Sequence, residues 1–313
     1  MLKSLYYFIH TLLGYKITLK EKTIKVISPP FLRWAGGKRR LVRRLIDFLP
    51  KETYGTYWEP FLGSGALFFA LAPQKAVLSD VNEELIRCYE AVKENPEGVS
   101  DRLRKYASRA SENYYYKARA KYNNGMGRKA QAARFIFLNR TSFNGIYRVN
   151  TNGTYNVPYG HKEPPPLPTR KELIRASELL KNATLHKKGY TKVLSFKKLK
   201  AKDFVYLDPP YLPYKEGTAN FTHYTDSRFD LEDHKKLAKM AKQISKKGCF
   251  VMISSSDDPA IRELYGWGWH IYKLPVTRFI AANGSRSEVS ELIITNYRAR
   301  NREKLGATSK KSN

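Results

Sequence analysis

Cysteine is scarce in this chain, with 2 in 313 residues. Cys88 and Cys249 form no Cys-x-x-Cys pair, and no Cys/His cluster has the spacing of metal ligands. This argues against a disulfide framework and fits a reducing compartment. Both cysteines read as small buried hydrophobes. Phosphate-binding signatures are missing as well: the chain has neither a GxxxxGK loop closed by Ser or Thr nor a GxGxxG turn. No apolar run is long enough to span a membrane. Leu5 to Leu13 is apolar and follows Lys3, but it holds His10 and Thr11, and no small-residue cleavage site follows. It reads as an accessory segment rather than a signal peptide. The expectation is a soluble, cytoplasmic, nucleoid-associated protein without a membrane partner. Acidic residues are also few, 28 Asp+Glu against 57 Lys+Arg, for a formal net charge of +29. That imbalance suits a polyanion, nucleic acid first, with a solubilising lysine-rich exterior as the bland alternative.

What is present is a globular composition, 42% hydrophobic, arranged as an α/β protein. Residues 1–28 look like an N-terminal extension. Lys38–Phe48 has helical periodicity. Tyr57-Trp58 leads as a strand into the glycine turn Glu59-Pro60-Phe61-Leu62-Gly63-Ser64-Gly65. An apolar helix, Ala66–Leu71, follows, then a strand over Ala76–Leu78 that ends near Asp80, and a helix over Glu83–Val92. Strand, glycine turn, helix, strand, acid is the opening of a nucleotide-binding unit. Residues 95–187 depart from this alternation. They hold helical stretches at 99–121 and Gln131–Leu138, a proline run, and Asn152-Gly153 between Tyr147-Arg148-Val149 and Tyr155-Asn156-Val157, a hairpin signal. The α/β pattern resumes near Val193, with strands expected at 204–207, 249–254, 269–274 and 290–297 and a helix at 231–246. Residues 298–313 form a basic tail. The α/β unit is thus expected to be discontinuous, 29–94 plus 188–297, around an inserted helical module with a protruding hairpin at 95–187.

Asp208-Pro209-Pro210-Tyr211 carries the most chemistry. Two prolines cannot continue the apolar strand Phe204–Leu207, so the chain must turn there. The turn sets a carboxylate, stiff carbonyls and an aromatic ring at a strand's carboxyl end, where open α/β sheets bind ligands. The set suits an exocyclic amine on a flat ring: Asp208 and the Pro209 carbonyl accept two N–H bonds, and Tyr211 stacks. A plain strand-to-loop turn is the alternative. Asp80 reads either as a ribose-binding carboxylate or as a helix cap. Trp34-Ala35-Gly36-Gly37-Lys38 offers a turn followed by an ammonium suited to a ligand carboxylate. Together these parts fit a ligand with an adenosine, a carboxylate and no triphosphate, which is S-adenosylmethionine rather than NAD.

The ordered set of residues 34–38, 59–65, 78–80, the insert, and 208–211 resembles the Dam-like, D12-class DNA adenine-N6 methyltransferases across roughly residues 29–297. Leu138 to Asn150 and Asn156-Val157-Pro158-Tyr159-Gly160 are similar to that family's DNA-reading hairpin. The resemblance implies a Rossmann-like methyltransferase sheet bearing an inserted helical, hairpin-bearing DNA-recognition domain, with double-stranded DNA as partner. It implies Asp208, Pro209, Pro210 and Tyr211 as catalytic. Trp34, Gly36, Gly37, Lys38, Glu59, Phe61, Gly63, Gly65, Asp80, Phe196 and Asp208 would contact S-adenosylmethionine, with Lys38 at its methionine end. Where the family usually has Asp-Phe against the cofactor adenine, this chain has Ser195-Phe196. Arg140, Phe143, Asn144, Ile146, Arg148, Asn150 and Pro158 would meet DNA, with Arg148 reading a guanine and Phe143, Asn144 and Ile146 wedging or supporting an opened base step. Phe221 and Tyr224 would close over the flipped base, and Asn283-Gly284-Ser285-Arg286 would sit at the rim.

Many family members methylate adenine in GATC, the implied target here. His161-Lys162-Glu163 departs from the aromatic-plus-lysine pattern of the enteric type and leaves the outer base pair open. Residues 161–203 hold 12 Lys+Arg against 4 Asp+Glu, suited to phosphates and solvent. The resemblance admits a monomer as the working unit and a cognate restriction endonuclease as partner. N4-cytosine methylation shares the amine chemistry but more often has Ser in place of Asp208. The non-enzyme alternative is a DNA-binding module on a decayed methylase scaffold.

Overall fold

The computed structural model describes residues 28–124, 127–160, 166–195, 197–212, 229–280 and 285–299. Phe196, Phe221, Tyr224, Asn283-Gly284 and His161-Lys162-Glu163 lie outside the described residues, as do 1–27 and 300–313.

One seven-stranded sheet organises the chain, in the order β3-β2-β1-β4-β5-β7-β6. Its strands are β1 (Tyr57–Glu59), β2 (Ala76–Ser79), β3 (Ala183–His186), β4 (Phe204–Leu207), β5 (Phe250–Ser256), β6 (His270–Ile280) and β7 (Ser285–Thr295). The pairs among β1 to β5 are parallel, and β7 is antiparallel to both its neighbours. All four residues of β4 are buried, which is why that stretch is continuously apolar rather than alternating. The sequence order reverses between β1 and β4. Connections leave those strands towards opposite faces, and a crevice opens at their carboxyl ends. Glu59-Pro60 and Asp208-Pro209 stand at its two sides.

The faces carry separate cores. Tyr57, Phe204, Tyr206, Met252 and Ile293 belong to one, with Val42 and Leu45 of α1 (Val42–Leu45) and with Leu67, Phe68 and Phe69 of α2 (Ala66–Leu71). Val205, Leu207, Val251 and Ile253 belong to the other, with Leu237, Ala238, Ala241 and Ile244 from the 231–246 helix. The alternation follows from the two-residue period of a strand.

Four further helices form a helical layer around α3 (Glu83–Glu94): α4 (Pro96–Ala107), α5 (Glu112–Asn123), α6 (Arg128–Thr141) and α7 (Arg170–Leu180). α6 and α7 both pack on α3. The expected single helix at 99–121 is interrupted by Ser108–Ser111, because the Ser111 side chain accepts the Tyr114 N–H and starts a new helix. A capping box at Thr169 and Glu172 opens α7. That Thr-x-x-Glu signal was present in the sequence. The remaining helices are α8 (Tyr190–Val193), α9 (Leu231–Lys246) and α10 (Pro259–Leu264).

Three sequence expectations need correction. Lys38–Phe48 is not one helix but a 3-10 turn at Lys38–Arg40, then α1, then a 3-10 turn at Ile46–Phe48. Ala183–His186 pairs with β2 and is part of the sheet, so the sheet resumes before residue 188. Its alternating, half-exposed pattern is that of an edge strand and gave no buried-strand signal. β6 and β7 form a longer ribbon than expected. Pro275 is tolerated inside β6 because that strand is the sheet edge.

Asp203 fastens the crevice from below. Its Oδ1 accepts the Thr56 N–H at 2.8 Å, and its Oδ2 accepts the Trp58 Nε1–H and the Lys200 N–H, each at 3.0 Å. Asp203→Ala strands three buried or half-buried donors. The substitution should lower the unfolding free energy by about 3 kcal/mol, since each unsatisfied donor costs roughly 1–3 kcal/mol. Urea denaturation followed by circular dichroism checks this.

Candidate active site

Gly36 and Gly37 precede the 3-10 turn that carries Lys38, and the Gly37 N–H closes a turn onto the Trp34 carbonyl at 2.9 Å. Lys38 then points inward and is 5% exposed. Its Nζ lies 2.7 Å from Asp208 Oδ1, donates to the Gly36 carbonyl at 2.9 Å, and stands 4.6 Å from the centroid of the Tyr211 ring. The ammonium is therefore committed to the carboxylate of the Asp-Pro-Pro-Tyr turn. The Gly-Gly-Lys and Asp-Pro-Pro-Tyr motifs thus meet each other. Burial pushes the Asp208 carboxyl up to about 6, opposed by Lys38 and reinforced by the negative charge of Glu291.

The turn after β4 is held from the opposite face. His234, on the first turns of α9, sits with Nε2 3.2 Å from the Pro210 carbonyl, the geometry of an Nε2–H donor. Its ring packs edge-on against Phe229, with centroids 4.8 Å apart. Burial lowers the His234 pKa, so the neutral ring holds the turn. The sequence reading did not single out His234. Its only signal was a histidine at a core position of an amphipathic helix.

The glycine turn between β1 and α2 gathers the second half of the site. Gly63 has φ +48°, and a Cβ there would lie 2.8 Å from Trp34 Cδ1, so only glycine admits the indole. The Gly63 N–H donates to Asp80 Oδ2 at 3.0 Å, and its carbonyl accepts the Tyr89 hydroxyl at 2.9 Å. Asp80 Oδ1 accepts the Asn82 N–H, while Asn82 itself caps α3. Asp80 thus braces the turn, and the capping reading belongs to Asn82. Val81, 57% exposed, stands beside it; the sequence reading had not named it. Gly65 opens α2 in the left-handed conformation. Phe61 stacks on Tyr190 at 5.3 Å and meets Phe229 edge-on.

Glu59 is 3% exposed and its Oε2 accepts the Tyr57 hydroxyl at 2.9 Å. Burial, the main cause, pushes its carboxyl up to about 8, and Asp208 and Asp80 add to the shift. Asp208 pairs with the buried Lys38 ammonium, and within electrostatic reach of it lie Glu59, which keeps its proton up to about pH 8, and Glu291, with Asp80 beyond Glu59. Such a surplus of carboxylates suits a cationic ligand. Together with an exposed valine beside Asp80 and a glycine turn, it fits S-adenosylmethionine, which carries an adenosine, an ammonium and a sulfonium. Among the described residues no group of His, Cys, Asp and Glu could hold a metal ion. Cys88 and Cys249 are buried and free.

The hairpin packs against the helical layer. Ladder pairing is confined to the bridges Ser142↔Tyr159 and Val149↔Tyr155. At the tip the Asn150 N–H reaches the Thr154 carbonyl and the Gly153 N–H the Asn150 carbonyl, each at 2.9 Å, with Gly153 at φ +71°. This is a three-residue loop with glycine in the left-handed position. Asn150 Oδ1 accepts the Asn152 and Thr154 N–H groups, so its side chain builds the turn. Tyr115, Arg119 and Asn123, one turn apart along α5, bond the backbone of Val157 and Tyr155 and pin the returning arm.

Arg148 is exposed, and its Nε donates to Asn156 Oδ1 at 2.8 Å, which aims the guanidinium outward. Phe143 (45% exposed) and Asn144 stand at the surface, Asn144 in the left-handed region, and Pro158 is exposed. Ile146 is buried with Tyr147 and Tyr155 in the core, so its place is beneath the hairpin and not at its surface as a wedge. Arg140 donates to the Pro166 carbonyl at 2.7 Å and feels the positive charges of Arg33 and Arg39.

The helical layer and the hairpin are tied to the crevice through Arg33 and Trp34. Asn139 accepts the Arg33 N–H at 2.9 Å and donates to the Arg33 carbonyl at 2.8 Å. Trp34 stacks on Tyr147 with centroids 5.9 Å apart. No helix among the described residues is long and apolar enough to cross a membrane.

A parallel sheet with an antiparallel β7, a glycine turn backed by an acid, and an Asp-Pro-Pro-Tyr turn at the order reversal define a Rossmann-like methyltransferase. A profile of the D12 class N6 adenine-specific DNA methyltransferases matches residues 34–277, and the chain belongs to that family. It is 42% identical over 279 residues to the type II methyltransferase M1.LlaDCHI of Lactococcus lactis subsp. cremoris, covering 87% of this chain and 97% of the relative. It is 35% identical to the type II methyltransferase M.MjaIII of Methanocaldococcus jannaschii, covering 86% and 99%. It is 33% identical to the DNA adenine methylase of Escherichia coli K12, covering 84% and 93%. The chain is an adenine-specific DNA methyltransferase, and the methyl donor its family implies is S-adenosylmethionine. Family membership decides against the N4-cytosine reading.

The pH dependence of folding follows from Glu59. Its folded pKa of about 8 stands above the ordinary value of 4.5, so the folded chain keeps a proton that the unfolded chain releases. The stabilisation is full below 4.5 and is lost as pH rises towards 8. Glu59→Gln should remove this decline, so that the variant gains on the wild type between pH 5 and about 8 in urea titrations.

Proposed function

We propose that this enzyme methylates the N6 atom of an adenine turned out of duplex DNA, with GATC as its target sequence. The observation that supports this most is the Asp208 carboxylate, fixed by Lys38 at the order reversal and flanked by Tyr211. The adenine amine is conjugated and a poor nucleophile. In this reading Asp208 accepts one amino N–H through Oδ2 while Oδ1 holds Lys38, and the Pro209 carbonyl accepts the other. These bonds localise the nitrogen lone pair, and Asp208 is the nearest base for the proton released. S-adenosylmethionine, when bound, supplies an electrophilic methyl group. Rate acceleration then comes from positioning and preorganised electrostatics. Tyr211 stacks on the displaced base, a geometry that requires the base to leave the helix.

Trp34, Gly63, Gly65, Asp80 and Val81 are the cofactor contacts in this reading, with the negative surplus of the crevice meeting the ligand's positive charge. Arg148, braced by Asn156, reads a guanine in the major groove. Phe143 and Asn144 support the opened step. Arg140, clustered with Arg33 and Arg39, meets phosphate, where like charges converge without cost to specificity.

The reading is tested with labelled S-adenosylmethionine and unmethylated duplex DNA, followed by mapping of methylated positions. N6-methyladenine confined to GATC is expected; methylation at another short site would overturn the target and keep the chemistry. Asp208→Ala should abolish transfer with duplex binding retained. Arg148→Ala should relax sequence preference by about 1–3 kcal/mol rather than weaken all duplexes alike. Because Asp208 must be ionised to accept the amine, kcat/KM should fall below about pH 6. Lys38→Met removes the charge that lowers the Asp208 pKa, so the acid limb should move to higher pH.

A further inference from the structure

The polar row at the carboxyl edge of the sheet extends beyond the recognised motifs to β7. Glu291 lies opposite Ser256 of β5 and Leu274 of β6. It shares a strand face with Ile293, which packs in the same core as Tyr57 and Tyr206. It therefore stands on the side of the sheet that carries Glu59 and Asp208. Its side chain is 5% exposed, and its Oε2 accepts the Tyr211 hydroxyl at 2.9 Å. A carboxylate at such a position is costly unless it binds something. What it binds is the tip of the aromatic ring whose face lies 4.6 Å from the Lys38 ammonium, which in turn holds Asp208 at 2.7 Å. The order Glu291, Tyr211, Lys38, Asp208 is a continuous chain of contacts from β7 to the reacting carboxylate.

We propose that Glu291 is a positioning residue for methyl transfer: by holding the Tyr211 hydroxyl it sets the ring against which Lys38 and the target adenine are placed. The proposal rests on the reading of Tyr211 as the wall of the base site. The torsion that turns a tyrosine ring about its axis is broad, so stacking alone leaves the plane loosely defined. A hydrogen bond from the far tip to a buried strand fixes where the ring lies, and the preference of the O–H for the ring plane biases its orientation. Phenylalanine would present the same stacking face but not this anchor.

A second consequence is electrostatic. The groups facing Asp208 are Lys38 from the first turn, Glu59 from β1, Tyr206 from β4, Tyr211 from the turn and Glu291 from β7. Of these, the Glu291 carboxylate is one that disfavours Asp208 ionisation, so neutralising it eases that ionisation.

The test uses the full chain, tritiated S-adenosylmethionine and unmethylated duplex DNA. Glu291→Ala and Tyr211→Phe should each lower kcat about tenfold, the equivalent of one lost hydrogen bond. KM for S-adenosylmethionine should stay unchanged. The double variant should be no slower than either single one. Glu291→Gln, whose amide oxygen still accepts from the hydroxyl, should retain most of the rate. The acid limb of kcat/KM should move to lower pH in Glu291→Gln and stay in place in Tyr211→Phe, a shift that a merely structural role would not produce. Wild-type kcat in Glu291→Ala, alongside a loss in Tyr211→Ala, would overturn the role of Glu291 and leave that of Tyr211 standing. Wild-type kcat in Tyr211→Ala would instead overturn the base-wall reading. If Glu291→Ala does not fold, the rate and acid limb of Glu291→Gln, compared with Tyr211→Phe, decide the matter: an unshifted limb in the glutamine variant counts against the proposal.

Discussion

The buried ion pair between Lys38 and Asp208 is the contact on which the rest of the site depends. Taking two charges out of water costs several kcal/mol each, and their attraction offsets this only when the geometry is good and the remaining polar atoms are satisfied. Here the geometry is a 2.7 Å contact, with the Gly36 carbonyl as a second acceptor and the Tyr211 ring face beside the ammonium. The pair joins the glycine loop ahead of the sheet to the turn after β4. Removing either partner would leave the other charge uncompensated, so both segments are held to one arrangement. Specificity of arrangement, rather than net stability, is the gain from burying it.

The same logic extends outward in layers. His234 holds the Pro210 carbonyl from one face of the sheet, and Glu291 holds the Tyr211 hydroxyl from the other. Asp203 anchors the amino ends of β1 and β4. On the far side of the glycine loop, Asn139 and Tyr147 grip Arg33 and Trp34. The residues that would read DNA and those that would hold the methyl donor thus share neighbouring backbone. A shift of the hairpin moves Tyr147, and Trp34 must follow or lose its stacking partner.

The hairpin shows how a surface turn is held with little pairing of its own. Only two bridges join its arms. Order comes instead from α5, which presents Tyr115, Arg119 and Asn123 in a line to the returning backbone, and from Asn150 folding the tip upon itself. Arg148 is left to project, steadied by Asn156 across the turn. A long flexible side chain is thereby partly ordered, which would lower the entropy lost if it binds DNA as proposed.

Much of the fold was legible from local chemistry. The β4 run, the α9 helix and the glycine turns announce themselves through periodicity, capping and composition, because each is decided by neighbours along the chain. The Asp-Pro-Pro-Tyr turn was legible for the same reason. β3 was not, since a short edge strand is half exposed and lacks a continuous apolar run. Nor were the partners of the key side chains. That Lys38 would meet Asp208, that Ile146 would lie beneath the hairpin, and that His234 and Glu291 would hold the Asp-Pro-Pro-Tyr turn are matters of distance across the sheet. By itself, the sequence determined the class of fold and the class of reaction. Only the tertiary structure decided which charge faces which, because pairing in a buried crevice is set by strand order and register, and a local pattern carries neither.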